Sequence, residues 1–253
     1  MKNKNTLVVY WTPASYISDV ESWATLYREP VSIFSSLRSL KSDAKTNLFI
    51  CPAMKDGLKN VFSLNSALND THDLPKEYLQ STNTLEITTP ESIITGGKVS
   101  LLRARKSSLN GYSNLVYNMK WLFFSEEPVI AKITAPYVLS TRPAEGVIFA
   151  SGQFDIGQWP RAISLDYHIP LETEKFIVKE DDPLFYIEIE TNKNIIFKRS
   201  NMSSRLNHLC AESSLSPSRY GMFKSLKERY EMATKANVRQ QVITEMKKNL
   251  IEE

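Results

Sequence analysis

The residues best suited to chemistry lie in the segment 151–161, between two expected strands. Its eleven residues include two glycines together with Asp155, Trp159 and Arg161. An aromatic ring can stack on a ligand, and an arginine fork can bind a carboxylate or a phosphate. The segment therefore predicts a ligand site. The structural alternative is that Asp155 caps a turn, Trp159 plugs the end of the β domain and Arg161 forms a local salt bridge.

Asp166 and His168 form a second candidate pair, two positions apart in an expected strand. Positions i and i+2 of a strand point to the same side, so both could face one cavity as metal ligands or as an acid–base pair. The alternative is a solvated ion pair on the outer face. We interpret His72, in a polar segment, as a surface residue. His208 and Cys210 diverge if they lie on a helix, and we predict no metal and no cofactor.

Standard catalytic signatures are absent from the sequence, including GxSxG, GxxxxGK[ST], GxGxxG and HExxH. We therefore name no catalytic residue and leave open whether the protein is an enzyme. One alternative is a small-ligand or nucleotide-handling enzyme whose site lies at the end of the sheet, around Asp155–Arg161 with Asp166 and His168.

Basic residues cluster at Arg103, Arg105 and Lys106, beside an aromatic strand pattern from Tyr117 to Phe124. Strand aromatics beside basic residues can bind single-stranded nucleic acid, which gives a second alternative function. The net charge of +3 is small and evenly spread, so nucleic acid is possible but not indicated. We favour a solvated strand end as the explanation of the cluster.

These residues need a β scaffold, and the chain from about 85 to 200 supplies the pattern for one. Phe185, Ile187 and Ile189 alternate with polar or amphipathic residues, the period of a half-buried strand. Short strands without long intervening helices predict a mainly β (α+β) fold, an antiparallel β-sandwich or barrel. We assign 1–200 to this domain, with a mixed N-terminal segment, and 201–253 to a helical C-terminal tail.

The tail carries apolar residues at helical spacing between about 217 and 251. Val238, Val242, Met246 and Leu250 recur every four residues. This stripe can pack on the β domain, or it can bind a protein partner or a second copy. No segment has the length or composition of a membrane span or signal peptide, and Cys51 and Cys210 form no disulfide framework. We expect a cytoplasmic protein.

A family resemblance adds an expectation about origin. Phe154-Asp155-Ile156 with Trp159 and Arg161, and the run Asp181–Tyr186, resemble uncharacterised proteins of large tailed bacteriophages. Cys51-Pro52-Ala53 with Lys59-Asn60 is similar to an earlier segment of those proteins, so the resemblance covers about 48–200. It implies a phage-encoded protein in the bacterial host cytoplasm or the virion, and no catalytic residue. Our leading hypothesis is a non-enzymatic binding or structural accessory protein.

Overall fold

A computed structural model describes residues 5–14, 26–39, 52–80, 85–87, 102–138, 142–160, 162–214, 228 and 237–251. Several expected features lie outside these ranges. They include Arg161, Cys51 and most of the helix pattern between 217 and 236.

Fourteen strands and five helices are described in chain order. They are β1 (Thr6–Pro13), β2 (Val31–Ser32), α1 (Ile33–Ser39), α2 (Pro52–Gly57), β3 (Val61–Asn65), β4 (Asp70–Asp73), α3 (Lys76–Gln80), β5 (Leu85–Ile87), β6 (Leu102–Lys106), β7 (Tyr112–Ser125), β8 (Ile130–Thr134), β9 (Ile148–Phe149), β10 (Gly152–Asp155), β11 (Ile163–Pro170), β12 (Lys175–Val178), β13 (Pro183–Ile189), β14 (Asn194–Arg199), α4 (Ser204–Ser214) and α5 (Val238–Lys248).

The fold is mainly β, as predicted, and its described sheets form a sandwich rather than a closed barrel. The first sheet has the order β14-β1-β7-β11-β9, and β6 joins β7 with β5 beside it. The second sheet has the order β10-β8-β13-β3-β2, and β4 pairs with β12 in a third. The strand pairs are antiparallel except for β1 with β14, which is parallel.

The main core lies between the two large sheets and follows from the two-residue period of their strands. Trp11 of β1, and Trp121 and Phe123 of β7, are buried against residues of the second sheet. The Trp121 ring meets the Phe185 ring of β13 edge to face, with 5.1 Å between their centroids. Such aromatic contacts between layers fix how the two sheets sit on each other.

The opposite face of the first sheet carries a second core, covered by the C-terminal helices. Leu122 and Phe124 alternate with the inward residues of β7 and pack with Val242 and Met246 of α5. Leu206 of α4 completes this contact. The apolar stripe of α5 is therefore buried within the chain. None of the described helices has both the length and the apolar character that a membrane span requires.

The outer face of the second sheet is covered by short helices. Ile33 and Leu37 of α1 pack with Leu58, Val61 and Tyr186 in a third, smaller cluster. The described part of the β-sandwich thus has helices on both outer faces.

Candidate ligand-binding site

Strand β11 places the candidate residues Asp166 and His168 on one face. Leu165, Tyr167 and Ile169 are buried in the main core, whereas the alternating Ser164, Asp166 and His168 are only partly buried. This is the period of two expected from the sequence. Asp166 and His168 therefore lie on the same outer side of the first sheet, beyond the part that the helices cover.

The Asp166 carboxylate is held by neighbours on two strands. Its Oδ1 accepts a hydrogen bond of 3.0 Å from the Arg105 guanidinium of β6, and its Oδ2 accepts one of 3.3 Å from the Ser164 hydroxyl. Arg105 also donates through Nε to the side-chain oxygen of Asn114 at 2.8 Å. These contacts fix the carboxylate and balance its charge. A carboxylate has about four acceptor positions, so capacity for a ligand remains.

His168 lies beside Asp166 on the strand but has a different partner. Its Nδ1 is 2.9 Å from the Ser107 hydroxyl oxygen, and that oxygen accepts the Leu109 backbone N–H at 3.0 Å. A hydroxyl that already accepts this N–H is free to donate to Nδ1, which would leave the ring proton on Nε2. His168 and Asp166 are thus engaged separately and do not form the shared acid–base pair considered from the sequence.

Asp155 organises the loop that follows β10. Its Oδ1 accepts the backbone N–H groups of Val129 at 3.1 Å and Gly157 at 2.8 Å. Its Oδ2 accepts from the Gln158 side chain at 2.9 Å. This is the turn-capping role named as the structural alternative. Asp155 positions the loop, and its carboxylate has little capacity left for a ligand.

Close packing against the Glu127 backbone and hydrogen bonds from α5 hold the same loop in place. A Cβ on Gly157 would lie 2.2 Å from the backbone oxygen of Glu127, so only glycine fits. Arg239 of α5 donates through Nε to the Gly157 oxygen at 2.6 Å and also to the backbone oxygen of Glu126. The C-terminal helix therefore supports the loop that carries Trp159.

Trp159 and Asp166 meet at one pocket of about 240 Å³ between β10 and β11. Polar groups of Gln153 and Ser164 share its lining, and the rest is formed by small and apolar residues. The other lining residues are Ile133, Ala150, Gly152, Phe154, Ala162 and Ile163. The lining thus includes an aromatic residue together with polar residues from two strands, a combination typical of small-ligand sites.

The structure thus unites only part of the set predicted from the sequence. Trp159 and Asp166 line one pocket, His168 lies outside its lining, Asp155 serves the turn, and Arg161 falls outside the described residues. Sequence reasoning did not select Gln153 or Ser164. The period of two from Ser164 to Asp166 was a signal that could have placed Ser164 on the same face.

The aromatic residues considered for nucleic-acid stacking are not accessible. Tyr117, Trp121, Phe123 and Phe124 are all at most 1% exposed. They form the two cores on either side of β7, so no base can stack on them. Arg105, from the basic cluster, is paired with Asp166 as described above.

The interpretation of His72 as a surface residue was wrong. Strand β4 pairs with β12, and the alternation of this ribbon turns His72 inward, where it is 3% exposed. Its ring lies 6.4 Å from the Phe176 ring between centroids, and its Nε2 is 2.8 Å from the Asp70 carboxylate. The polar residues around His72 did not indicate a strand, because the strand that pairs with β4 lies about a hundred residues later in the chain.

A larger groove of about 860 Å³ lies at the turn-rich end of the sandwich, next to a smaller pocket of about 180 Å³. The predicted site residues that the structure describes, Asp155, Trp159, Asp166 and His168, line neither one. The charged side chains of the groove have both signs and therefore select no ligand charge. They are Arg142, Glu145, Glu172, Glu174, Lys175, Lys179 and Asp182.

Comparison with known proteins gives one similarity of limited extent. The chain is 29% identical over 155 residues to Protein YGP1 of Saccharomyces cerevisiae. The match covers 58% of this chain and 42% of the yeast protein, so the chain spans less than half of that relative's length. No family model matches the chain. No solved structure matches it.

This similarity corrects the expectation about origin. The relative is a eukaryotic protein, and nothing in the comparisons points to a phage family. The resemblance to proteins of tailed bacteriophages was therefore wrong. The placement in a bacterial host or a virion depended on that resemblance and loses its basis with it.

Proposed function

We propose that the protein is a non-enzymatic binding protein whose pocket at Trp159 and Asp166 takes a neutral, polyhydroxylated ring such as a monosaccharide unit. The observation that carries the proposal is that Trp159, Asp166, Ser164 and Gln153 line one pocket. An aromatic ring provides an apolar platform for one face of a sugar, and the polar groups orient its hydroxyls.

The size of the pocket limits the ligand to one ring. Its volume of about 240 Å³ is below the range of about 300–1,000 Å³ typical of drug-sized ligands. A longer saccharide would place one unit in the pocket and extend over the surface. A nucleotide would need more room, and its phosphate would meet the Asp166 carboxylate.

The charge balance of the pocket favours a neutral ligand. Asp166 is the one carboxylate among the described lining residues, and the Arg105 guanidinium lies 3.0 Å from it. Gln153 and Ser164 are uncharged donors and acceptors. A bound anion would be repelled by Asp166, and a bound cation would compete with Arg105.

The presence of one carboxylate among the described lining residues argues for binding rather than hydrolysis. Glycoside hydrolysis generally uses two carboxylates, about 5–9.5 Å apart, that flank the scissile bond. Asp155 ends the strand that contributes Gln153 to the pocket, and the described backbone and side-chain donors already occupy both its oxygens. The pocket therefore supplies positioning groups without an acid–base pair.

A direct test is calorimetric titration of the full chain with the methyl glycosides of glucose, mannose, galactose and N-acetylglucosamine. We expect binding of at least one, and affinity lowered roughly tenfold, equivalent to about 1.4 kcal/mol, by Trp159→Ala. Tyr137→Ala is the matched control, because Tyr137 is an exposed aromatic outside this pocket. Glucuronate tests whether the pocket accepts a negatively charged sugar, and adenosine tests whether it prefers a stacked base.

Two results would contradict the proposal. One is binding of adenosine or glucuronate in preference to every neutral glycoside. The other is glycoside binding that Trp159→Ala leaves unchanged. A slow release of methanol from the methyl glycosides would show hydrolysis and would contradict the non-enzymatic part.

A further inference from the structure

The smaller pocket at the turn-rich end of the sandwich, of about 180 Å³, is lined by residues of both large sheets. Phe149 of β9 comes from the first sheet, and Leu184 of β13 comes from the second. Apart from Arg142 and Asp182, all its lining residues are aliphatic, aromatic or proline. A pocket of this composition suits an apolar group that carries charge at one end.

Hydrogen bonds and ring contacts hold the walls of this pocket in place. The Tyr167 hydroxyl of β11 donates to the Leu184 backbone oxygen at 3.4 Å and so joins the two sheets. The Phe149 ring meets the Tyr167 ring edge to face, with 5.3 Å between their centroids. The Ile177 N–H donates to the Pro143 oxygen at 2.8 Å, which ties the neighbouring turn to β12. Because these walls are already fixed, a ligand does not have to order them.

Arg142 and Asp182 lie where the small pocket meets the large groove, since both residues line both spaces. Arg142 is exposed, and its guanidinium forms no hydrogen bond or ion pair with any described residue. Asp182 is partly buried, and within the described chain its carboxylate accepts one hydrogen bond, from the Lys179 backbone N–H at 3.2 Å. A cation and an anion with a spare oxygen therefore flank the same opening without pairing with each other.

We infer that the small pocket binds a free amino acid with an apolar side chain. The ligand carboxylate pairs with the Arg142 guanidinium, whose planar fork suits a carboxylate. The ligand ammonium group pairs with the Asp182 carboxylate, and the side chain enters the pocket. Such a ligand has no net charge, which agrees with an opening that carries both signs.

The volume of the pocket limits the side chain of the ligand. A cavity of about 150 Å³ lined by apolar side chains can hold benzene, so a pocket of about 180 Å³ admits the side chain of leucine, methionine or phenylalanine. Removal of this apolar surface from water supplies affinity, and the two charges at the opening supply selectivity. The pocket shares no lining residue with the pocket at Trp159, so a glycoside and an amino acid have separate sites.

The first test is calorimetric titration of the full chain with phenylalanine and three analogues that each lack one feature. Phenylpropionate has the same ring without the ammonium group, and phenethylamine has it without the carboxylate. Serine keeps both charges without an apolar side chain. We expect phenylalanine to bind, and each analogue to bind tenfold or more weakly, because it leaves one part of the site unused.

The second test assigns each ligand charge to one residue. Arg142→Gln should weaken phenylalanine binding tenfold or more without weakening phenethylamine, which has no carboxylate. Asp182→Asn should weaken phenylalanine binding without weakening phenylpropionate, and its amide oxygen can still accept the Lys179 N–H that holds the turn. The matched control is Lys179→Gln, which removes a charge that lines the groove but not the small pocket. It should leave phenylalanine binding unchanged.

Failure of phenylalanine to bind at millimolar concentration, an analogue that binds as tightly as phenylalanine, or equal losses in Arg142→Gln and Lys179→Gln would each overturn the inference.

Discussion

Removal of the Asp155 carboxylate separates a structural role from a ligand-binding role. In Asp155→Ala the backbone N–H groups of Val129 and Gly157 lose their acceptor, and both residues are buried. Hydrogen bonds to a charged group contribute about 1.5–3 kcal/mol each, with incomplete additivity. We therefore expect the free energy of unfolding to fall by about 3 kcal/mol.

Asp155→Asn is the matched variant. The amide oxygen can still accept the two backbone N–H groups, and only the contact to the Gln158 side chain changes. The expected loss is about 1 kcal/mol. Thermal unfolding followed by circular dichroism measures both, since a loss of about 3 kcal/mol in a chain of this size lowers Tm by about 6–12 °C.

The reasoning would be refuted if Asp155→Ala unfolded within about 1 °C of the wild type. It would also be refuted if Asp155→Asn abolished glycoside binding while keeping its stability, because the carboxylate would then act on the ligand rather than on the loop. Parallel calorimetric titration of Asp155→Asn distinguishes the two roles.

Three further outcomes follow from burial and packing. Gly157→Ala should lower the free energy of unfolding by about 2 kcal/mol or more, because its Cβ would overlap the Glu127 backbone. Gly152→Ala is the control, since no atom lies within 4 Å of its new Cβ. Its free energy of unfolding, measured by urea denaturation, should stay within about 0.5 kcal/mol of the wild type. Leu122→Ala should lower the free energy of unfolding by about 2–4 kcal/mol and expose α5 to proteolysis, since Leu122 packs the sheet against that helix. A variant as resistant to proteolysis as the wild type would contradict this packing. Burial raises the pKa of the Cys210 thiol to about 12. In a Cys51→Ser variant, Cys210 should therefore not react with a thiol reagent at pH 8 until denaturant is added. Rapid labelling of the folded protein would contradict its burial.

The sequence was most informative where one face of a strand is buried. In β13, Phe185, Ile187 and Ile189 face the main core as the period of two predicted, but Tyr186, predicted on the solvent face, is buried against α1. In β7 the aromatic run predicted a strand without revealing its faces. Trp121 and Phe123 serve one core and Leu122 and Phe124 the other, so both faces are apolar.

Long-range pairing limited the prediction of the site. The role of Asp155 depends on the Val129 N–H, 26 residues earlier. The environment of Asp166 depends on Arg105, 61 residues earlier, through strands whose order the sequence does not state. Local pattern placed Asp166 and His168 on one face correctly. It could not show that Arg105 and Ser107 would give them separate partners.

The measurement that tests the binding site most directly is the response of the tryptophan indole signals in a two-dimensional NMR spectrum during titration with the glycoside that binds. The chain has four tryptophans, and Trp159→Phe assigns the signal of Trp159. The account predicts that the Trp159 indole signal and the Gln153 amide signals shift together while the signals of the buried Trp11 and Trp121 stay in place. Glycoside binding with an unmoved Trp159 signal, and shifts at Arg142 and Ile177 in the large groove instead, would contradict it.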